Sequence, residues 1–431
     1  MKFYIETYGC QMNVSDSELV HSILVDSGYE PAKDIDEADI LLFNTCSVRE
    51  HAEQRVLGRI SNERHRKKAK PWFKIVLLGC MAQRIGQRLV HEDLGIDYAV
   101  GVDQYKALPH ILSRETGSAL DFNSTEIYEE LMPVHHASRC AYVTIMRGCN
   151  NFCSYCIVPH VRGRERSRPY TDILHDVQNA LNQGSRDISL LGQNVNSYHF
   201  RDMSFPMLLH RLSIDAPDMY RLRFVTSHPK DLSDELVEEM KSNPKICEHI
   251  HLPLQSANNE ILKRMNRSYS FERYMDRIRA LRNAMPEISL TTDLIAGFPG
   301  ETDAQFEDTL SAMRAIEYDY AFCFKYSERE GTRAASFTEQ IPEEIRLERL
   351  QRMIELQREI TLKKFRAQIG KTVEIYVEDF SKKSKAQVSG KTRDFKIAVL
   401  PGDSSMIGKL VKARVEGASA GTLLCGPALL H

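Results

Sequence analysis

Residues 147–156 read RGCNNFCSYC and place Cys149, Cys153 and Cys156 at spacings of four and three. Ten cysteines in a chain of 431 residues with no secretory leader point to metal or catalytic sulfur and away from a disulfide framework. Structural zinc takes four ligands, and neither Cys140 nor His160 completes a paired finger spacing. A 4Fe-4S cluster held through three cysteines keeps one iron open, and an open iron binds a reactant. Three more cysteines, Cys10, Cys46 and Cys80, end the apolar runs KFYIETYGC, ADILLFNTC and KIVLLGC. They stand 36 and 34 residues apart, close to one strand-helix unit each. A parallel sheet gathers the carboxyl ends of its strands on one rim, so these thiols are read as a convergent trio or as three buried strand ends.

The elements that must position these groups fall into three blocks. Residues 1–118 alternate short apolar runs with helical patterns and predict a small parallel α/β domain. Within it Asp16 stands as an N-cap and Gly28 as the stop of the first helix. Residues 119–137 lack a period and read as a linker. Residues 138–368 repeat a strand-then-helix rhythm six times, from CAYVTIMRG to AFCFKYS, and predict an open, partial (β/α)6 barrel with its chemistry at the strand C-termini. Leu347, Leu350 and Ile354 give the helix that closes this block an apolar stripe for packing on the barrel. Residues 369–431 break into short strands separated by Gly and Pro, the pattern of a small β-barrel. No run approaches the ~20 apolar residues of a membrane span. A cytoplasmic protein without membrane contact is expected.

The chain's formal charge is −2, so attraction to nucleic acid must come from local patches. Residues 55–74 carry eight Lys or Arg against Glu63, and VRGRERSR sets Arg162, Arg164, Arg166 and Arg168 directly after the triplet loop. Polar residues at strand ends, namely Gln193, Ser227, His228 and Gln255, are candidates to line a ligand space, because an unpaired polar group in a barrel mouth costs free energy.

The C-x3-C-x2-C pattern resembles the signature of the radical S-adenosylmethionine superfamily. That resemblance implies that the methionine part of S-adenosylmethionine chelates the open iron, that Tyr155 lies beside the adenine, and that DLIAGFPGE brings Ile295 and Gly297 to its border. The whole arrangement, with ETYGCQMNVSDSE, NTCSVRE, LGCMAQR, MRGCNNFCSYCIVP and RGRERSR, resembles the methylthiotransferases of the isopentenyl-tRNA branch. It implies two 4Fe-4S clusters, a radical-forming one on Cys149, Cys153 and Cys156 and an auxiliary one on Cys10, Cys46 and Cys80, all six being catalytic. The implied reaction puts a methylthio group on C2 of an isopentenyladenosine beside the anticodon, one S-adenosylmethionine giving the methyl group and a second the radical. The implied partners are a tRNA anticodon stem-loop, gripped in part by the four arginines and by a TRAM-like tail, with an external electron donor and a sulfur source; a monomer is expected. In the tail, GKTRDFKIAVLPG departs from the family's Arg- and Asn-bearing turn. Rival readings are a methylthiotransferase for threonylcarbamoyladenosine or for a ribosomal-protein aspartate, and a non-catalytic RNA-binding iron-sulfur protein.

Overall fold

The computed structural model describes residues 1–47, 50–92, 94–114, 116–129, 131, 133 and 139–429, without the side chains of 50–52. Part of the expected linker (130, 132 and 134–137) and Val48 and Arg49 of NTCSVRE lie outside the described residues.

The first domain is a parallel sheet in the order Glu30–Pro31, β1 (Lys2–Tyr8), β2 (Ile40–Thr45), β3 (Lys74–Leu78), β4 (Tyr98–Val100) and β5 (Gly117–Ala119). Its central strands are apolar on both faces because both are covered. Leu19, Val20 and Leu24 of α1 (Gln11–Asp26) pack on one face with Leu42 and Val76. Val56 and Ile60 of α2 (Glu50–Glu63) and Met81 and Leu89 of α3 (Gly79–His91) cover the other, over Phe43 and Leu77.

The second domain has the expected six parallel strands in two triplets. β6 (Cys140–Thr144), β7 (Asp187–Leu191) and β8 (Arg221–Phe224) form one; β9 (His249–His251), β10 (Ser289–Ala296) and β11 (Tyr320–Lys325) form the other. A parallel bridge from Leu222 to Ile246 joins them. Alternation does the sorting. Val143, Ile188, Leu222, Ile250, Leu290 and Ala321 point outward into the core beneath the surrounding helices, so their neighbours, largely polar, face the lumen. The loop after β6 carries the cysteine triplet and runs into the short helix α4 (Val158–Arg162).

The long helix α5 (Glu343–Arg366) closes the domain against β10 and β11. It buries Met353, Ile360 and Phe365, whereas Leu347 and Ile354 of the expected stripe are exposed. The stripe spacing was correct for a helix, but the face turned to the barrel is set one step round from it.

The third domain is a closed barrel of β12 (Thr372–Ser381), β13 (Ser384–Thr392), β14 (Ile397–Pro401), β15 (Leu410–Ala418) and β16 (Leu423–Ala428), in the order β12-β13-β14-β16-β15. Its turn 392–396, the segment that departs from the family pattern, is not free. Phe395 stacks on His249 at 4.6 Å in the floor of the second domain, and Arg223 donates to the carbonyls of Thr392 and Arg393 at 2.8 and 2.9 Å.

Candidate active site at the seam of two domains

The strands β1, β2 and β3 stop at Tyr8, Thr45 and Leu78, so the three cysteines lie just beyond their strands. Cys10 is the N-cap of α1 and Cys80 sits in the first turn of α3. Cys10 therefore accepts from the backbone N–H groups of Met12 and Asn13, which favours a thiolate. Gly9 makes the approach possible: at φ +142°, a Cβ there would lie 2.7 Å from Cys46 Cβ. The Cys46 thiol hydrogen-bonds Cys10 and, against the effect of burial and with help from Arg162, lowers its pKa to about 6. Burial pushes Cys80 up, opposed by Arg162.

Asp16 does not cap α1. The helix begins five residues earlier because Cys10 takes the cap, and Asp16 is left fully buried in mid-helix. Arg147 donates to its Oδ1 at 2.9 Å and Arg162 to its Oδ2 at 2.7 Å. Arg162 also donates through Nε to Cys80 Sγ at 3.2 Å. Burial works against an ionised Asp16, but the charges of Arg162 and Arg147 hold its carboxyl below the usual range. Cys80 packs with Ile157, directly after Cys156, and with Val161 of α4. The two cysteine groups thus meet across one seam, with α4 between them.

On the barrel side Cys149 and Cys153 are buried and Cys156 half-buried. Burial raises the Cys149 thiol and pushes Cys156 up to about 12. Arg267, itself buried, donates to Cys153 Sγ at 3.5 Å and to the Pro253 carbonyl at 2.8 Å. Each trio therefore has one buried guanidinium on one sulfur, the arrangement a negatively charged iron-sulfur group needs. Among the described residues no three His, Cys, Asp or Glu side chains close around a single metal ion.

The strand ends above the triplet supply the polar lining. Gln193 Oε1, Ser227 Oγ, His228 Nε2 and Gln255 Oε1 are all buried and have no hydrogen-bond partner. His228 accepts from the Lys230 N–H through Nδ1, and burial together with the charges of Arg267 and Lys230 drops its pKa to about 2. It is therefore neutral, with an N–H at Nε2 directed into the space. Gln255 at φ +70° and Thr226 at +67° hold strained backbone beside it, as ligand sites often do. Four unpaired polar atoms at one mouth fit a bound polar molecule such as S-adenosylmethionine. Tyr155 packs in one cluster with Ile261, Met265, Ile295 and Phe298, so Tyr155 and Ile295 do come together. Gly297 follows directly on the end of β10 at Ala296. A Cβ on it would meet Arg346 of α5 at 2.4 Å, and its N–H is taken by Glu301 at 2.7 Å; close packing of α5 explains the glycine.

Three of the four arginines expected on RNA are used internally. Arg162 is on Asp16, Arg166 pairs with Asp103 at 3.0 Å, and Arg168 pairs with Asp176 at 2.7 Å. Arg164 alone is exposed, lying 4.2 Å from the Phe152 ring. Arg162 and Arg166 bind carboxylates of the neighbouring domain and Arg168 one of its own, uses that a charge count does not distinguish from phosphate binding. The run 55–74 is likewise largely committed: Arg59 pairs with Glu6 and Glu63, Arg66 with Glu63 and Asp36, and Lys67 with Asp97. Sequence reasoning had no signal for Arg267, which is over a hundred residues from its cysteine.

Residues 143–313 match the model of the radical SAM superfamily, residues 2–101 that of Uncharacterized protein family UPF0004, and residues 366–424 that of the TRAM domain. Curated relatives called tRNA-2-methylthio-N(6)-dimethylallyladenosine synthase match nearly end to end. The one from Parabacteroides distasonis is 44% identical over 99% of this chain and 95% of its own. That from Porphyromonas gingivalis strain W83 is 43% identical over 98% and 94%. Among solved structures, the radical S-adenosylmethionine methyltransferase TsrM from Kitasatospora setae, with cobalamin and a [4Fe-4S] cluster bound, aligns with TM-score 0.59 at 15% identity over 78% of this chain and 74% of that one. The cobalamin-dependent radical enzyme OxsB aligns with TM-score 0.55 at 12% identity over 83% and 56%. These two share the fold.

Proposed function

Because the chain belongs to the tRNA-2-methylthio-N(6)-dimethylallyladenosine synthase family of radical S-adenosylmethionine enzymes, we infer that its two cysteine trios are the two halves of one active site. The protein is a tRNA methylthiotransferase acting at C2 of N6-isopentenyladenosine, with 4Fe-4S and S-adenosylmethionine as cofactors. When bound, these cofactors supply an electron, a carbon radical able to take the C2 hydrogen, and a methylated sulfur. No side-chain base of ordinary pKa could remove that hydrogen.

The residues divide the remaining work. Cys149, Cys153 and Cys156 hold the cluster that meets S-adenosylmethionine, and Cys10, Cys46 and Cys80 hold the auxiliary one. Gln193, Ser227, His228 and Gln255 orient the polar parts of S-adenosylmethionine, while Tyr155 and Ile295 flank its adenine. Arg267 and Arg162 offset the negative charge of each trio. Residues 1–118, 138–368 and 369–431 act as cluster-bearing, radical and RNA-binding units of a cytoplasmic monomer, fed by an external reductant and a sulfur source. What supports this reading above all is that Cys80 packs on the residues after Cys156 and shares Arg162 with the buried seam. The non-catalytic reading has no use for the unpaired polar mouth.

Iron analysis of anaerobically reconstituted protein tests it. About eight irons per chain are expected for two 4Fe-4S clusters. Replacing either trio with alanines should leave half, with the spectrum of the surviving cluster. A parent with one cluster, or loss of all iron from either variant, contradicts the two-site assignment. Nucleoside mass spectrometry of tRNA from cells lacking the protein should show isopentenyladenosine without its 2-methylthio group.

A further inference from the structure

On β10 and β11, residues paired in register point to the same face. Thr291, Asp293 and Ile295 pair with Tyr320, Phe322 and Phe324. Leu290, Leu294 and Ala321 occupy the opposite face, inside the core under the helices. Tyr320, Phe322 and Phe324 therefore stand on the lumen face of the last barrel strand, at the barrel's open edge. They are 46%, 42% and 38% exposed. Tyr320 and Phe322 are edge to face with centroids 4.9 Å apart, and Phe322 meets the His251 ring at 6.0 Å. Three large rings in line on an edge strand would be an association hazard unless something covers them.

We propose that this row is the binding platform for the target nucleotide, with Phe324 and Phe322 receiving the base and its dimethylallyl group. This rests on the function proposed above and names how that site selects its substrate. One end of the row is continuous with the radical site: Phe324 is in register with Ile295, which packs with Tyr155 beside Cys156. The other end opens to solvent, from which an anticodon loop must come. A splayed-out base stacks on aromatic side chains whatever its hydrogen bonding. A branched five-carbon substituent adds apolar surface to bury against the same rings. Asp293 lies in register with Phe322 and 3.3 Å from His251 Nε2. It adds a carboxylate beside the ring row that repels the acid group of a threonylcarbamoyl substituent, so selection combines an attractive ring surface with a repulsive charge.

Affinity of the reconstituted holoprotein for three synthetic anticodon stem-loops tests the platform: the target adenosine unmodified, with N6-dimethylallyl, or with N6-threonylcarbamoyl. The parent should prefer the dimethylallyl stem-loop by about tenfold or more. Phe322→Ser with Phe324→Ser should reduce that preference to within about twofold and weaken the unmodified stem-loop less than the dimethylallyl one, while iron content holds. Phe322→Tyr should keep it, and Asp293→Asn should raise affinity for the threonylcarbamoyl stem-loop alone. A parent without preference, or a double variant with undiminished preference, overturns the platform. If the parent prefers the dimethylallyl stem-loop but 2-methylthio product never forms, the platform stands and the proposed reaction fails.

Discussion

A carboxylate with no exposure between two guanidiniums, as at Asp16, is held by pairing and not by solvent. Removing one member leaves charge buried without a partner. Asp16→Asn should therefore destabilise the apoprotein by about 3–5 kcal/mol in urea titrations. The pH dependence has a definite sign. Arg162 and Arg147 lower the folded-state pKa below the unfolded carboxyl value of about 3.9, so the contribution is complete above that value and is lost as pH falls through the folded pKa. Melts of the parent apoprotein should decline steeply below about pH 4, and those of Asp16→Asn less so. Gln255 illustrates the opposite balance: its left-handed backbone costs about 1–3 kcal/mol in a non-glycine residue. Gln255→Gly should raise the melting temperature and weaken S-adenosylmethionine binding, measured by equilibrium dialysis. That trade is expected where strain and an unpaired amide oxygen coincide.

At the scale of elements, the attachment of β13 and its turn to the barrel floor is a separable joint. Arg223 is buried, binds Asp187 on β7, and reaches across to Thr392 and Arg393, while Arg221 reaches Lys391 and Glu374. Arg223→Ala should release the third domain. Limited proteolysis should then cut between α5 and β12, and calorimetry should resolve two transitions where the parent has one. The elements themselves were legible in the sequence. Period-two runs such as DISLL and apolar runs such as ILLFNT mark strands whichever partner they meet, and Gly28 ends α1 as expected, at φ +85°. What could not be read was direction in space. Asp16 has the residue type of a cap, yet Cys10 lies closer to the turn and takes that place. The alternating arginines after the triplet have the composition of a phosphate grip, yet three of them find carboxylates, two of these from distant segments. Local pattern fixes which atoms are polar, and only the assembled domains fix what they face.

Across the whole molecule, the first domain brings thiols on a sheet rim to a seam with the second, which carries thiols and polar strand ends on a barrel rim, while the third closes the barrel floor. The six cysteines stood out in the sequence because three follow apolar runs and three form a C-x3-C-x2-C triplet. Arg267 and the ring row on β11 were hidden, since nothing in AFCFKYS says which face is left uncovered. With Phe395 lodged in the floor and Arg223 bound to its turn, the third domain is seated against the end of the barrel opposite the polar strand ends, so a nucleic acid that touches both must lie along the barrel's flank.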